Sequence, residues 1–178
     1  MCDFNENDYK TASPRSSNYV RYSMVNIESN HRLGFDEGIY NIDELIYRAL
    51  DNGHINTDQS NKIVNLHGSN ITKSTALRTK EKQSIAVGDI VVFAEFDQEA
   101  FSKAKASYVE ESKKKTQAFY DKACTDAGLD PTSSVARVVY DMCWEKHHSS
   151  GYREVYNCMD QYVEFADKII AAYNKDNS

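Results

Sequence analysis

The sequence is poor in the residues that mark fibrous, secreted and membrane-spanning proteins. Among 178 residues it has four cysteines, two prolines and seven glycines. So little glycine and proline excludes collagen-like and linker-like chains. The longest apolar runs, at 90–94 and 169–173, are far shorter than the roughly 20 residues that cross a bilayer. We therefore expect no membrane-spanning segment and no membrane partner.

The cysteines also lack the spacing of a disulfide scaffold. They form no C-x-x-C pair, and the first residues carry neither the basic nor the apolar region of a signal peptide. Free thiols in a reducing compartment are the simplest interpretation. The sequence thus predicts a cytoplasmic protein.

Motifs for nucleotide binding and hydrolysis are missing as well. A phosphate-binding loop needs clustered glycines, whereas the glycines here are scattered. The hydrolase pattern G-x-S-x-G does not occur either. We therefore predict no catalytic residues, no cofactor and no enzymatic activity.

The overall composition is that of a globular, acidic domain. Hydrophobic residues make up 40% and aromatic residues 11%, which argues against a wholly disordered chain. There are 27 acidic against 21 basic side chains, a formal net charge of -6. This charge disfavours nucleic-acid binding by the molecule as a whole.

The first half carries the strand signals. Residues 1–18 are polar and predict a flexible arm. Residues 19–27 alternate between apolar and polar types and predict a strand, and two further strands are predicted at 62–67 and 85–96.

One amphipathic helix is predicted between these strands. Asn41 and Glu44 have the spacing of a capping box, and apolar residues follow at helical intervals up to Leu50. Gly53 is placed to end the helix in the left-handed region.

The second half is rich in helix formers. Asp97 is placed to cap a helix over 98–127, but the middle of this helix, residues 110–117, is entirely polar. The sequence therefore leaves open whether the helix is continuous. A third predicted helix covers 152–173, and the helix between them has an apolar face formed by Val135, Val138, Val139, Met142 and Cys143.

Together these patterns predict an α+β fold. A small β-containing part with one amphipathic helix would cover 19–97, and an antiparallel three-helix unit would cover 98–178. Residues 96–98 contain no glycine or proline, so no flexible linker is indicated and we expect one compact body.

A zinc site is an alternative use of part of the helical half. Cys143 and His147 lie one helical turn apart, and Cys158 follows on the next predicted helix. Cys143 also fits the apolar face, and a histidine near a helix C-terminus is favoured by the helix dipole. We favour this structural interpretation and predict no metal site.

One stretch is basic in this acidic chain. Residues 62–82 contain a single acid, Glu81, and five cations: Lys62, Lys73, Arg78, Lys80 and Lys82. A basic loop can contact phosphates, but this one has no interleaved aromatic residues for base stacking. Nucleic-acid binding is therefore the alternative function.

Tyrosine is abundant, with 12 copies, and suits protein interfaces because it joins apolar area to a polar tip. Four tyrosines fall on the last predicted helix: Tyr152, Tyr156, Tyr162 and Tyr173. An edge position in the bundle would explain them equally well. We predict that the helical, acidic, Tyr-rich surface binds another protein. A small chain rich in Asn, Lys and Tyr and without a recognisable enzyme motif looks like an accessory protein of a virus or phage. This resemblance implies an inhibitory or accessory role.

Overall fold

A computed structural model describes residues 4–70 and 82–162, together with the single positions 165, 168 and 175. It contains a four-stranded antiparallel sheet and five α-helices, the last three of which follow the sheet in the chain. The predicted α+β fold is therefore confirmed. No helix in the described ranges is both long enough and apolar enough to cross a bilayer.

The strands are β1 (Val20–Asn26), β2 (His31–Leu33), β3 (Gln83–Val87) and β4 (Ile90–Phe96), in the sheet order β2-β1-β4-β3. The helices are α1 (Ile42–Asp51), α2 (Thr57–Asn70), α3 (Gln98–Asp126), α4 (Ser134–His147) and α5 (Tyr152–Gln161).

The chain divides into two compact units. The sheet unit holds Ser13–Ala106, and the helical unit combines the chain up to Ala12 with the chain from Ser107 onward. The boundaries after residues 18 and 97 stay predictions. Phe4 is buried in the helical core and Tyr9 packs against it, so this part of the predicted flexible arm is ordered by aromatic packing.

The strand predicted at 62–67 is wrong, because these residues belong to α2. Asn56 and Gln59 form a reciprocal capping box at its start, with both hydrogen bonds at 2.9 Å. Ser60 and Ile63 are buried one turn apart, while Val64 points outward and is exposed. Helical spacing, not β-branching, decides the structure here.

The single strand predicted at 85–96 is a hairpin of β3 and β4. Val87 pairs with Ile90 across the two-residue turn Gly88-Asp89. Gly88 has a φ of 59°, and a positive φ at the first turn position is what a tight hairpin of this kind needs.

The helix predicted after Asn41 is confirmed as α1. The Asn41 side chain accepts a hydrogen bond from the Asp43 amide at 2.9 Å. Glu44 does not complete the predicted capping box, because its carboxylate binds Arg48 at 2.6 Å instead. Gly53 follows the helix with the expected positive φ, 72°.

One face of the sheet forms the core of the sheet unit. The inward side chains of β1, β3 and β4 alternate with outward ones and pack against the buried residues of α1 and α2, among them Leu45 and Ile63. The opposite face carries none of the described helices of this core, and we call it the open face.

Helix α3 is continuous through the polar segment 110–117. Its buried residues, Phe119, Tyr120, Ala123 and Cys124, lie in its last turns, where they share one core with α4 and α5. On α4, Val135, Val139 and Cys143 are buried as predicted, whereas Val138 and Met142 are exposed. Most of the predicted continuation of α5 to residue 173 lies outside the described residues.

Candidate functional site

The open face presents a row of apolar side chains at the centre of the sheet. Val25 of β1 pairs with Val91 of β4, and Ser23 pairs with Phe93. Val25, Val91 and Phe93 are half-buried. Strand alternation directs them away from α1 and α2, so they form an apolar floor that the core of the sheet unit does not use.

The chain after β2 forms one wall above this floor. Gly34 adopts a φ of 123°, and a Cβ at this position would lie 2.3 Å from the Tyr22 carbonyl oxygen. Only glycine allows so close a passage in this conformation. The passage leads directly into a short 3-10 helix, Phe35–Glu37, which places the Phe35 side chain beside the floor.

Floor and wall enclose a groove of about 540 Å³, which we call the sheet-face groove. Its size is within the range of ligand pockets. Its apolar side chains include Val25, Ile27, Leu33, Phe35, Val91 and Phe93, and its charged ones are Arg32, Asp36, Glu37 and Lys82.

Two cations of the groove have no carboxylate partner within the described residues. The Lys82 ammonium lies 4.6 Å from the ring centroid of Phe35 and 4.6 Å from that of Phe93, as cation–π contacts require. Arg32 is exposed and forms no ion pair. By contrast, Glu37 is already neutralised by Arg48 at 3.1 Å.

A fixed carboxylate lies on the same face at the end of β4. Asp97 accepts hydrogen bonds from the Ala100 amide at 2.9 Å and the Tyr40 hydroxyl at 2.8 Å. Arg21 Nε lies 3.4 Å away. The Ala100 bond, helped by Tyr40 and Arg21, keeps the pKa of Asp97 below its usual range. The carboxylate oxygens of Asp97 thus accept a hydrogen bond at the start of α3, which confirms the prediction that Asp97 caps this helix.

The tyrosines predicted to bind a partner lie mainly in the helical core. Tyr156 is only 9% exposed, and its hydroxyl donates to Asp126 Oδ2 at 2.6 Å. Tyr152 and Tyr162 pack, partly buried, against the same core. Tyr173 lies outside the described residues. The Tyr156 ring is covered by the Phe4 ring of the same unit, and partner binding by these tyrosines stays a prediction.

The basic segment is divided by the fold. Lys62 lies on α2, where it pairs with Asp58 at 2.7 Å, and Lys82 enters the sheet-face groove. Lys73, Arg78 and Lys80 lie outside the described residues. The aromatic contacts that the segment lacks in sequence are supplied to Lys82 by Phe35 and Phe93, which come from distant positions.

Of the alternative zinc ligands, Cys143 on α4 and Cys158 on α5 lie side by side. Cys143 is buried, and burial together with its hydrogen bond to the Cys158 thiol raises its pKa far above the ordinary value. No group of three or more His, Cys, Asp or Glu side chains among the described residues is arranged to hold a metal.

Sequence reasoning missed the sheet-face groove because both faces of β4 are apolar. In β4, Val91, Phe93 and Glu95 alternate with the inward residues, and this alternation indicates a second face of the sheet. Apolar side chains on both faces, however, favour a strand that is covered on both sides. No local pattern indicates that Phe35 lies beside Phe93.

Comparison with known proteins identifies one family. A model described as a family of unknown function (DUF8546) matches residues 44–170, which is more than half of the chain. No curated protein and no solved structure matches. The matched range includes β3 and β4 but leaves out β1, β2 and Phe35.

Proposed function

We propose that this chain, which belongs to that family of unknown function, is a non-enzymatic protein that binds an extended acidic segment of another protein in the sheet-face groove. The observation that carries the proposal is the pairing of an apolar floor with two cations, Arg32 and Lys82, that have no carboxylate partner among the residues the structure describes.

The apolar component favours side-chain insertion. Ile27 at the rim is 61% exposed, and Val25, Val91 and Phe93 line the bottom. Aromatic and aliphatic side chains in a recess, with a polar rim, are the usual centre of a protein-binding site. An extended peptide segment can place one large apolar side chain against this floor.

The charged component favours carboxylates beside that apolar side chain. Arg32 and Lys82 have no ion pair within the described residues, whereas Glu37 has Arg48. Among the described charged side chains that line the groove, Asp36 is then the one acid that faces these two cations. In a chain with a net charge of -6, such a local excess of positive charge gives specificity and accelerates association with an acidic partner.

A peptide probe tests the proposal. The probe is a blocked Glu-Asp-Leu-Phe-Asp-Glu peptide, and its control has every acid replaced by lysine. We expect amide chemical shifts to change at Val25, Val91 and Phe93 with the acidic probe alone. The Arg32→Glu/Lys82→Glu variant should weaken binding roughly tenfold or more.

A matched control separates local charge from net charge. Lys103 and Lys114 are exposed on α3, and Lys103→Glu/Lys114→Glu changes the net charge equally without touching the groove. This variant should bind the acidic probe like the wild type. If groove amides do not respond to either peptide, or if both double variants weaken binding alike, the groove is not the site.

Single-stranded nucleic acid is a second candidate, favoured by the contacts of Lys82. Single-strand binders combine a cationic groove with aromatic rings on which bases stack, and Lys82 contacts two such rings. An oligo-dT probe distinguishes this function, because its binding must weaken steeply with salt and require Phe93. Binding of the peptide probe without oligo-dT binding would decide for a protein partner.

The cellular role belongs to the same proposal. Cys124, Cys143 and Cys158 are free, buried thiols, which supports a reducing cytoplasmic setting. An accessory or inhibitory role through binding in the groove is part of this proposal. Imaging of the tagged chain in its native cell tests the location, and a compartment outside the cytoplasm would contradict it.

A further inference from the structure

The segment Phe4–Lys10 binds the helical unit mainly through two aromatic rings. Phe4 is 8% exposed, and its ring stacks on Tyr156 with centroids 4.4 Å apart. The Tyr9 ring meets the edge of Phe119 at 5.4 Å. Such aromatic pairs add stabilisation beyond the apolar area they bury.

The polar contacts of the segment are of a kind that a bound peptide makes. Arg153 donates to the Phe4 carbonyl at 3.1 Å, and Lys115 donates to the Lys10 carbonyl at 2.7 Å. Both bonds go to main-chain oxygens, which any sequence can offer. Specificity must therefore come from the side chains of the segment.

Glu6 supplies one such specific contact at the start of α5. The N-cap residue of α5 is Gly151, whose side chain cannot cap. The Glu6 carboxylate pairs with Lys10 of the same segment at 3.0 Å. Lys10 and the nearby Tyr152 amide lower the pKa of Glu6, and its Oε1 lies 3.0 Å from the position a Gly151 Cβ would occupy. A carboxylate from outside the helix thus lies at the positive end of the helix dipole.

The segment otherwise keeps its own local structure. Residues Glu6–Tyr9 form a 3-10 turn, and Asn5 accepts from the Asn7 amide at 3.2 Å. No backbone-to-backbone hydrogen bond in the described part of the chain joins it to α3, α4 or α5. The segment is therefore held as a ligand is held, by side chains and by two carbonyl groups.

We propose that the aromatic groove formed by Phe119, Tyr156, Arg153 and the start of α5 is a second protein-docking site. It recognises a segment with an aromatic residue, a carboxylate two positions later and an aromatic residue five positions after the first. The chain's own Phe4, Glu6 and Tyr9 occupy the groove until a partner protein with such a segment displaces them. This proposal is independent of the sheet-face groove.

Charge supports an acidic partner segment over a neutral one. Arg153 flanks the groove and forms no ion pair within the described residues, whereas Lys115 at the other end already pairs with Glu111 at 3.0 Å. The amides at the start of α5 have no capping side chain of their own. The chain's own Phe4–Lys10 segment competes with a partner for the groove and lowers the partner's apparent affinity. A segment tethered in this way has an effective concentration in the millimolar range. A partner must exceed this competition, so loss of the cis segment must raise the apparent affinity of the groove.

The test uses the full chain and a labelled peptide with the sequence of residues 2–12. We expect the Phe4→Ala/Tyr9→Ala variant to bind this peptide at least ~10-fold more tightly than the wild type does. A peptide carrying Glu6→Lys should bind ~10-fold more weakly to the same variant. The control variant Tyr47→Ala, which changes an exposed tyrosine of the sheet unit, should bind like the wild type.

Equal affinities for the wild type and the double variant would overturn the proposal, as would no binding at about 1 mM peptide. If the double variant does not fold, a protease site inserted between Ala12 and Ser13 replaces it. After cleavage, the proposal expects the released segment to exchange with the labelled peptide while the far-UV CD spectrum is retained. Unfolding on release would show that the segment is integral core, and a dimer in light scattering would assign the groove to a second copy; either result overturns docking of a partner.

Discussion

The hydroxyl of Tyr156 on α5 donates a 2.6 Å hydrogen bond to Asp126, the last residue of α3. Asp126 also accepts from Lys122 at 2.6 Å. Burial opposes ionisation of this carboxyl, but the bonds from Lys122 and Tyr156 hold its pKa below the usual value. The pair therefore links α5 to the end of α3 by a charge-assisted bond, in addition to the ring packing of Tyr156.

Removing this hydroxyl should weaken the helical unit without disturbing its ring stack. Tyr156→Phe is expected to lower the free energy of unfolding by about 2 kcal/mol, since a bond to a charged acceptor is lost. Urea denaturation followed by CD measures the change. Tyr47→Phe, on an exposed ring, is the control. If both changes lower the free energy of unfolding equally, the hydrogen bond to Asp126 does not stabilise the unit.

Loss of the Asp97 side chain, which caps α3, should lower the free energy of unfolding more than loss of the Tyr40 hydroxyl does. Asp97→Ala removes the acceptor for the Ala100 amide and for Tyr40, and should cost about 1–2 kcal/mol. Tyr40→Phe removes only one donor and should cost less. Thermal or urea unfolding of both variants gives the order, and a larger loss for Tyr40→Phe would contradict it.

Stability should fall as the solution becomes acidic, through His67. Burial lowers the pKa of His67, with Asp43 opposing the shift, and the Tyr22 hydroxyl lies 3.1 Å from His67 Nε2. The unfolded state therefore binds a proton more readily than the folded state does. The stabilisation is complete above the unfolded pKa of about 6.5 and is lost as the pH falls from there through the lower folded value.

Urea midpoints between about pH 7.5 and 5 measure this slope. His67→Gln should flatten it, and the slope that remains is assigned to His54, whose pKa burial and His31 also lower. A slope unchanged by His67→Gln would refute the assignment.

Gly34 should be the least replaceable glycine of the sheet unit. A Cβ there would lie 2.3 Å from a backbone oxygen, so Gly34→Ala must shift the main chain and should cost about 2–3 kcal/mol. Gly53→Ala is the matched control, because its φ is also positive, 72°, but nothing lies within 4 Å. It should cost about 1 kcal/mol. Comparable losses would show that φ alone, and not the close passage, sets the requirement.

Local signals predicted part of the fold well. Asn41 and Asp97 are caps in the structure as in the sequence, because a cap depends on residues within three positions. The 62–67 segment was misassigned because Ile63 and Val64 suggested a strand, whereas the reciprocal pair of Asn56 and Gln59 already indicated a helix start.

The contacts of the site residues could not be predicted from the sequence. The charge of Lys82 is visible in the sequence, but its contacts with Phe35 and Phe93 depend on strand pairing and on the passage at Gly34. Similarly, the polar residues around Phe4 predict a flexible arm, because the rings that bury Phe4 belong to helices more than a hundred residues later. Tertiary contacts of this separation leave no local pattern.

The helical unit is assembled from both sides of the sheet unit in the chain, which orders events during synthesis. A ribosome adds about 5–20 residues per second, so roughly 8–30 s pass between the emergence of Phe4 and that of Tyr156. During that interval the intervening strands and α1 can fold, while Phe4 and Tyr9 remain exposed to chaperones. Phe4 and Tyr9 can therefore become buried only after Phe119 and Tyr156, on which their rings pack, have also emerged.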